Sequence, residues 1–260
     1  MVKAVSIPHI DKTVMGTGDR TMKVAALERE TIPSISDDYS DFVEEEGPTT
    51  VATTESGRAG LMAKRTLDVV IASSLLVVAL PVLGPLWGLV RLDGGPVFYG
   101  HVRIGRKGVP FSCYKFRSMV VDSDTVLDRL LKTDPSAAAE WAASHKLTND
   151  PRVTRVGRFL RKTSLDEMPQ LFNVIRGDMS LVGPRPVVTK ELEYYGANVR
   201  YYKAVRPGIT GLWQISGRSD TTYTERVMLD TDYVRKWSLW RDFIILLKTV
   251  PAVLLQRGAR

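Results

Sequence analysis

The chain has 260 residues, 44% of them hydrophobic, with a formal net charge of +7 and one cysteine, Cys113. That length allows one catalytic domain with extensions, and a single cysteine excludes an internal disulfide and fits a reducing compartment. The positive charge comes with no nucleic-acid recognition motif and no aromatic–basic stacking pattern, so nucleic acid is not expected as a partner.

The charge is unevenly spread. Residues 1–57 hold five Lys and Arg against eleven Asp and Glu, net −6, while the remainder carries 31 against 18, net +13. This first stretch is polar, contains Glu44-Glu45-Glu46 and shows no sustained hydrophobic period, which predicts a disordered acidic tail. Residues 58–95 follow as a basic approach and an apolar run. No charged residue lies between Val69 and Val90, about the length of a membrane-spanning helix. The run begins far from Met1, so no cleavable signal peptide is expected. Pro81 and Pro85 each remove a helical hydrogen bond near its middle, predicting a sharp bend. Lys64 and Arg65 precede the run, and Arg91, Arg103, Arg106 and Lys107 follow it. By the positive-inside rule both flanks stay in the cytoplasm. A re-entrant helix–break–helix satisfies both facts; an ordinary span with a proline kink is the plainer alternative. The excess positive charge beside this anchor suits an anionic membrane surface, a phosphorylated substrate, or both.

Residues 96–260 read as a small cytoplasmic catalytic domain, α/β in class and rich in helix. PVFYGHVRIG and VPFSCYKFRSM flank Arg106-Lys107-Gly108 and predict a β-hairpin, with Lys115 and Arg117 ending its second strand near the active site. An Ala-rich helix is expected around Leu127–Ser144. From Arg152, basic residues recur every three residues or so through Arg155, Arg158, Arg161 and Lys162, interleaved with Val156, Phe159 and Leu160. On a helix this gives a basic stripe beside an apolar one, suited to lipid headgroups or phosphates, or simply a solvated face.

Ser164-Leu165-Asp166-Glu167 then has the form of a capping box, Ser164 as N-cap and Glu167 at the third helical position. The same geometry offers free N–H groups and positive dipole potential to a phosphate. Adjacent carboxylates there divide labour naturally, one attacking phosphorus and the other holding a hard cation such as Mg²⁺. Further on, Gly183-Pro184-Arg185-Pro186 fixes the backbone around one guanidinium. Trp213 reads as core, and His101 and His145 as structural. WSLWRDFIILLKTVPAVLL near the end is a buried or an interfacial helix, bent at Pro251.

KRTLD before a proline-broken apolar segment, YKFRSM, RKTSLDEMPQLFNVIRGDMSLVGPRP and RPGITGLWQISGR together resemble the bacterial sugar transferase family, from about Ala63 to Leu255. These are monotopic polyprenyl-phosphate sugar-1-phosphate transferases that start exopolysaccharide assembly. The resemblance implies transfer of a hexose-1-phosphate, galactose or glucose, from a UDP-sugar to undecaprenyl phosphate with release of UMP, at the cytoplasmic face of the bacterial inner membrane. It implies Asp166 as the nucleophile that forms a covalent phosphosugar intermediate and Glu167 as the Mg²⁺ ligand. Arg161 and Arg185 match phosphate-contacting arginines, with Arg117 and Arg218 as further candidates. The apolar hairpin with Pro81 and Pro85 matches a re-entrant membrane helix, and a homo-oligomer is compatible. A direct glycosyltransferase releasing UDP, or a non-catalytic membrane-surface adaptor, are the competing readings.

Overall fold

The computed structural model describes residues 57–144, 146–217 and 221–254. The expected acidic tail (except Gly57), His145 and Arg218 lie outside the described residues. Helix α1 runs from Arg58 to Leu92, β1 (Phe98–Ile104) and β2 (Pro110–Phe116) form the hairpin, and helices α2 (Ser123–Thr133), α3 (Pro135–Ser144), α4 (Arg155–Thr163) and α5 (Gln170–Arg176) follow. Strand β3 (Ser180–Val182), α6 (Val199–Ala204), β4 (Gly208–Thr210), α7 (Leu212–Ser216), α8 (Tyr223–Arg235) and α9 (Leu239–Leu254) complete the order. Two small sheets result: β1 and β2 antiparallel, with Phe98 opposite Phe116 and Ile104 opposite Pro110, and β3 and β4 parallel. The α/β class and the hairpin match the sequence expectation.

A helix–break–helix is expected here, and helical backbone runs through the position of that break. Backbone helix continues from Arg58 to Leu92 with Pro81 and Pro85 inside it. The reason lies in one face of α1. Asp68, Ala72, Leu83, Leu86 and Val90 are buried, and Leu76 and Ala79 pack between them. These positions recur every three or four residues, the spacing of a single helical stripe. The first part of the stripe joins Leu171, Val174, Met179, Leu181, Tyr233 and Ile245 in the main core. Its last part meets Val97, Phe116 and Leu160 in a second cluster. Packing along the whole stripe carries the helix through both prolines. The other face exposes Val70, Val77, Val78, Leu80, Val82, Trp87 and Leu92. Among the described residues this is the one helix long and apolar enough to cross a membrane, with 11% of its most apolar window buried.

Polar bonds fix the first turns of α1. Asp68 accepts from the Ser180 hydroxyl (2.8 Å) and the Leu181 amide (3.1 Å), and Lys64 donates to Val182 O (3.1 Å) and Asp242 (2.6 Å). Arg65 donates to the carbonyls of Val174 and Ile175 in the last turn of α5.

The Ala-rich segment is two helices rather than one. Asp134 is extended (φ −124°, ψ 101°) because it precedes Pro135, and its carboxylate accepts from the amides of Ser136 and Ala137 to start α3. Helix α4 forms as the basic stripe predicts, buries Gly157 and Leu160, and leaves Arg155, Arg158, Phe159, Arg161 and Lys162 exposed. Arg152 precedes it and is instead buried against Asp150 in a two-pronged ion pair (2.8 and 2.7 Å). Helix α9 turns Ile245 and Asp242 inward and exposes Trp240, Phe243, Leu247 and Val250.

Candidate active site

Six residues join α4 to α5. Ser164 takes the left-handed conformation (φ 58°, ψ 15°) as the C-cap of α4, and Leu165–Glu167 form a single 3-10 turn leading into α5. The expected capping box is therefore absent. A left-handed residue cannot also supply the extended N-cap geometry, and the Ser164 side chain makes no capping bond. Glu167, released from that duty, reaches across to the hairpin.

There Lys115 on β2 meets both carboxylates. Its Nζ lies 2.6 Å from Glu167 Oε1 and 4.0 Å from Asp166 Oδ2. Asp166 is the more enclosed, its side chain 13% exposed against 41% for Glu167. Burial pushes the Asp166 carboxyl above the usual carboxylate range, and the negative charge of Glu167 pushes the same way, against Lys115 and Arg161. For Glu167 partial burial also opposes ionisation, but Lys115, then Arg185 and Arg103, outweigh it and hold its carboxyl below its ordinary value. Two adjacent acids are thus driven apart, a division that suits two different roles.

Asn173 sets the distance between α5 and β2. Fully buried, it accepts from the Tyr114 amide (3.0 Å) and donates to Ser112 O (2.8 Å) and Asp178 (3.1 Å). Its amide thereby takes the place of a neighbouring strand along β2, and the turn bearing Asp166 and Glu167 is held beside Lys115. Sequence reasoning did not select Asn173. A polar amide on the buried face of a helix was the available signal.

The Arg185 loop rests on a backbone-to-backbone approach. A Cβ at Gly208 would lie 2.1 Å from Gly183 N, and one at Gly211 the same distance from Gly183 O, so no side chain fits there. Tyr202 pins the far side of this loop, donating to Ile104 O (2.6 Å) and accepting from the Val187 amide (3.1 Å). Arg185 sits over the Trp213 ring (5.4 Å), and Arg226 lies over the same ring (5.2 Å) and over Tyr223 (4.6 Å). Trp213 is buried, as expected of core, yet it also serves as an arginine platform. Behind it, Tyr195 donates to the buried Asp230 (2.7 Å), whose carboxyl burial pushes up to about 7.

The structure brings Asp166, Glu167, Arg161 and Arg185 into one neighbourhood and adds Lys115 and Arg103 to it. Arg161 is steered by its Nε bond to Ser118 (2.8 Å). Arg117 does not join them: its guanidinium turns to the end of α1 and donates to Val90 O (3.0 Å). Pro81 and Pro85 lie within α1. His101 pairs loosely with Arg103 (3.4 Å). Among the described residues no cluster of three or more His, Cys, Asp or Glu forms a ready-made metal cage. Mg²⁺ needs none, since one or two carboxylates and substrate phosphates ordinarily hold it. An ionised, partly exposed Glu167 with one oxygen engaged by Lys115 fits that donor set.

The profile of the bacterial sugar transferase family matches residues 59–256. An undecaprenyl-phosphate galactose phosphotransferase of Salmonella typhimurium is 56% identical over 202 residues, covering 78% of this chain and 42% of that protein. The exopolysaccharide production protein ExoY of Rhizobium meliloti is 55% identical over 201 residues, 77% of this chain and 89% of that protein. A UDP-glucose:undecaprenyl-phosphate glucose-1-phosphate transferase of Caulobacter vibrioides is 42% identical over 205 residues, 75% of this chain and 71% of that protein. The chain therefore spans less than half the length of the Salmonella relative.

Proposed function

Because the chain belongs to the bacterial sugar transferase family, we propose that it moves a hexose-1-phosphate, galactose or glucose, from a UDP-sugar to undecaprenyl phosphate in exopolysaccharide synthesis. The observation that carries this reading is the Asp166–Glu167 pair on one turn, its two carboxyls shifted in opposite directions and set against Lys115, Arg161 and Arg185. A pure membrane adaptor has no use for an enclosed carboxylate among so many cations.

Asp166 attacks the phosphorus that bears the sugar. An Asp166 Oδ–P bond forms, the bond between the two donor phosphates breaks, and UMP leaves with the electron pair. A phosphate oxygen of undecaprenyl phosphate then attacks the same phosphorus and expels the Asp166 carboxylate. Partial desolvation makes the Asp166 carboxylate a stronger nucleophile than a hydrated one, and the charge of Lys115 works against the upward shift that burial causes. Arg185 and Arg161 supply the charge that phosphoryl transfer needs at the oxygens around phosphorus. Glu167 would hold Mg²⁺, which when bound screens the diphosphate charge from the incoming carboxylate. Taking the two anionic substrates in turn avoids crowding their phosphates at one spot.

Membrane attachment on one face only is the second part of the reading. Both halves of the buried stripe of α1 pack on the same domain. A helix crossing about 30 Å of hydrocarbon cannot keep its first and last turns against a domain that stays on one side. Pro81 and Pro85 further leave the carbonyls of Val77 and Pro81 without helical donors, which favours a shallow, water-accessible depth. The exposed stripe of α9 and Phe159 amid the α4 cations suit the same bilayer surface. Such placement puts the site where the phosphate of a lipid acceptor lies.

With purified full-length protein, Mg²⁺ and the correct UDP-sugar but no lipid, about one UMP per enzyme should appear, together with a phosphosugar adduct on Asp166. Release of UDP would mean direct sugar transfer. UMP that appears only when both substrates are present, with no adduct by mass spectrometry, would exclude the covalent route.

A further inference from the structure

At the opposite end of α5 from the carboxylate pair, a cavity of about 80 Å³ opens between the first turns of α1, the hairpin turn and the end of α6. None of the residues placed around Asp166 and Glu167 lines it. Its charged lining is Lys64, Arg65, Arg106 and Arg206 against a single carboxylate, Asp68, with Leu61 and Trp237 among its apolar walls. Lys64 is neutralised by Asp242 outside this lining. The three guanidiniums are not. Arg65 donates to peptide carbonyls, as does Arg206 to Gly177 O (2.7 Å), and a carbonyl cancels no charge. Arg106 is exposed, and its guanidinium makes no hydrogen bond or ion pair among the described residues. Burial, then Arg106 and Arg65, press the Arg206 guanidinium toward losing its proton, with Asp68 opposing them.

We propose that this cavity binds the phosphate of an anionic phospholipid, separately from the catalytic site. Guanidinium groups match phosphate oxygens in paired geometry. Position selects a lipid over a soluble anion, and here the inference rests on the one-face membrane reading above. The cavity opens at the start of α1, just before the uncharged run begins, where lipid phosphates lie when that run is in the hydrocarbon. Exposed Met62, on the turn that bears Leu61 and Arg65, gives acyl chains an apolar edge beside the opening. A filled cavity would tie the C-terminal end of α5 to the bilayer surface while the N-terminal end carries the reacting carboxylates, about 10 Å away along the axis.

The test uses the full chain in neutral detergent, with thermal unfolding followed during titration of short-chain phosphatidylglycerol, phosphatidylcholine or inorganic phosphate. Phosphatidylglycerol should raise the melting temperature, phosphatidylcholine should do so far less, and millimolar phosphate should leave it unchanged. Arg106→Gln should melt like the parent without lipid and bind phosphatidylglycerol at least ~10-fold more weakly. Lys107→Gln, on the same exposed turn but outside the cavity, should respond like the parent. An equal response in Arg106→Gln and the parent would overturn the site. A response to inorganic phosphate as large as to phosphatidylglycerol would overturn the lipid. Co-flotation with neutral vesicles tests the membrane reading independently, since it needs only the apolar face of α1.

Discussion

Asn173 offers the sharpest test of how the site is built. Asn173→Leu keeps roughly the size of the side chain but leaves the partly buried Tyr114 N–H and Ser112 C=O without their partners. Each orphaned group costs about 1–3 kcal/mol, and the added apolar contact of Leu returns part of that, so a net loss of about 2–5 kcal/mol is expected. Against a total stability on the order of 5–15 kcal/mol this is large. It corresponds to a fall in melting temperature of roughly 5–20 °C for a chain of this size. Denaturation in detergent micelles, followed by circular dichroism, measures it. Transfer activity at a temperature where the variant remains folded should fall too, through kcat, because the turn bearing Asp166 and Glu167 is no longer held at the distance of Lys115. A stability loss below about 1 kcal/mol, the floor for one orphaned group, with activity intact would refute the reasoning. It would mean that the apolar contacts of Leu171 and Val174 alone fix α5 on the hairpin.

Asp166→Asn should be at least as stable as the parent at neutral pH, because folding disfavours the ionised Asp166 carboxyl, and should lose transfer by on the order of 10³-fold or more in a UMP-release assay. Glu167→Gln removes a carboxylate that folding holds ionised, so stability should drop above pH 4.5, by no more than about 1 kcal/mol given its exposure, and a much larger drop in transfer would mark a role beyond structure. The folded protein keeps a proton on Asp230 up to about pH 7 that the unfolded chain gives up near 3.8. Stability should therefore fall as pH rises from about 4 to about 7, by a few kcal/mol at most, and Asp230→Asn should flatten that slope in denaturation curves. For topology, Met62→Cys and Val109→Cys lie on either side of the uncharged run of α1 at exposed positions, while native Cys113 is buried. An impermeant thiol reagent should reach both from the same side of sealed vesicles, and labelling from opposite sides would establish a true span.

The hairpin is legible in the sequence because Arg106-Lys107-Gly108 gives an unambiguous turn between two β-rich runs. Helix α1 is legible because an uncharged apolar run of that length is long enough to reach through hydrocarbon and too long for an ordinary core strand. That the helical backbone continues past Pro81 and Pro85 could not be read locally, because the stripe from Asp68 to Val90 has partners as far away as Phe116 and Ile245. The capping box fails for a similar reason. Its four residues fit the pattern, but the left-handed turn at Ser164 follows from α4 running directly into them. Asp166, Glu167, Arg161 and Arg185 can be named from motif resemblance, and the fold does gather them. Arg117, from the same motif as Lys115, cannot be separated from it in sequence. On β2 and just beyond it, one turns to the carboxylates and the other to the end of α1. The pairing of Lys115 with Glu167 spans 52 positions and leaves no local trace.

The buried stripe makes α1 inseparable from the domain it packs on. Deleting residues 58–92 to obtain a water-soluble catalytic fragment would strip cover from Phe116, Leu160, Leu171 and Val174 at once and leave Ser180 and Leu181 without Asp68. Such a truncation should yield aggregate rather than a free domain. By the same logic, a lineage could not simply lose the apolar segment. It would first have to rebuild the interior on which that segment closes.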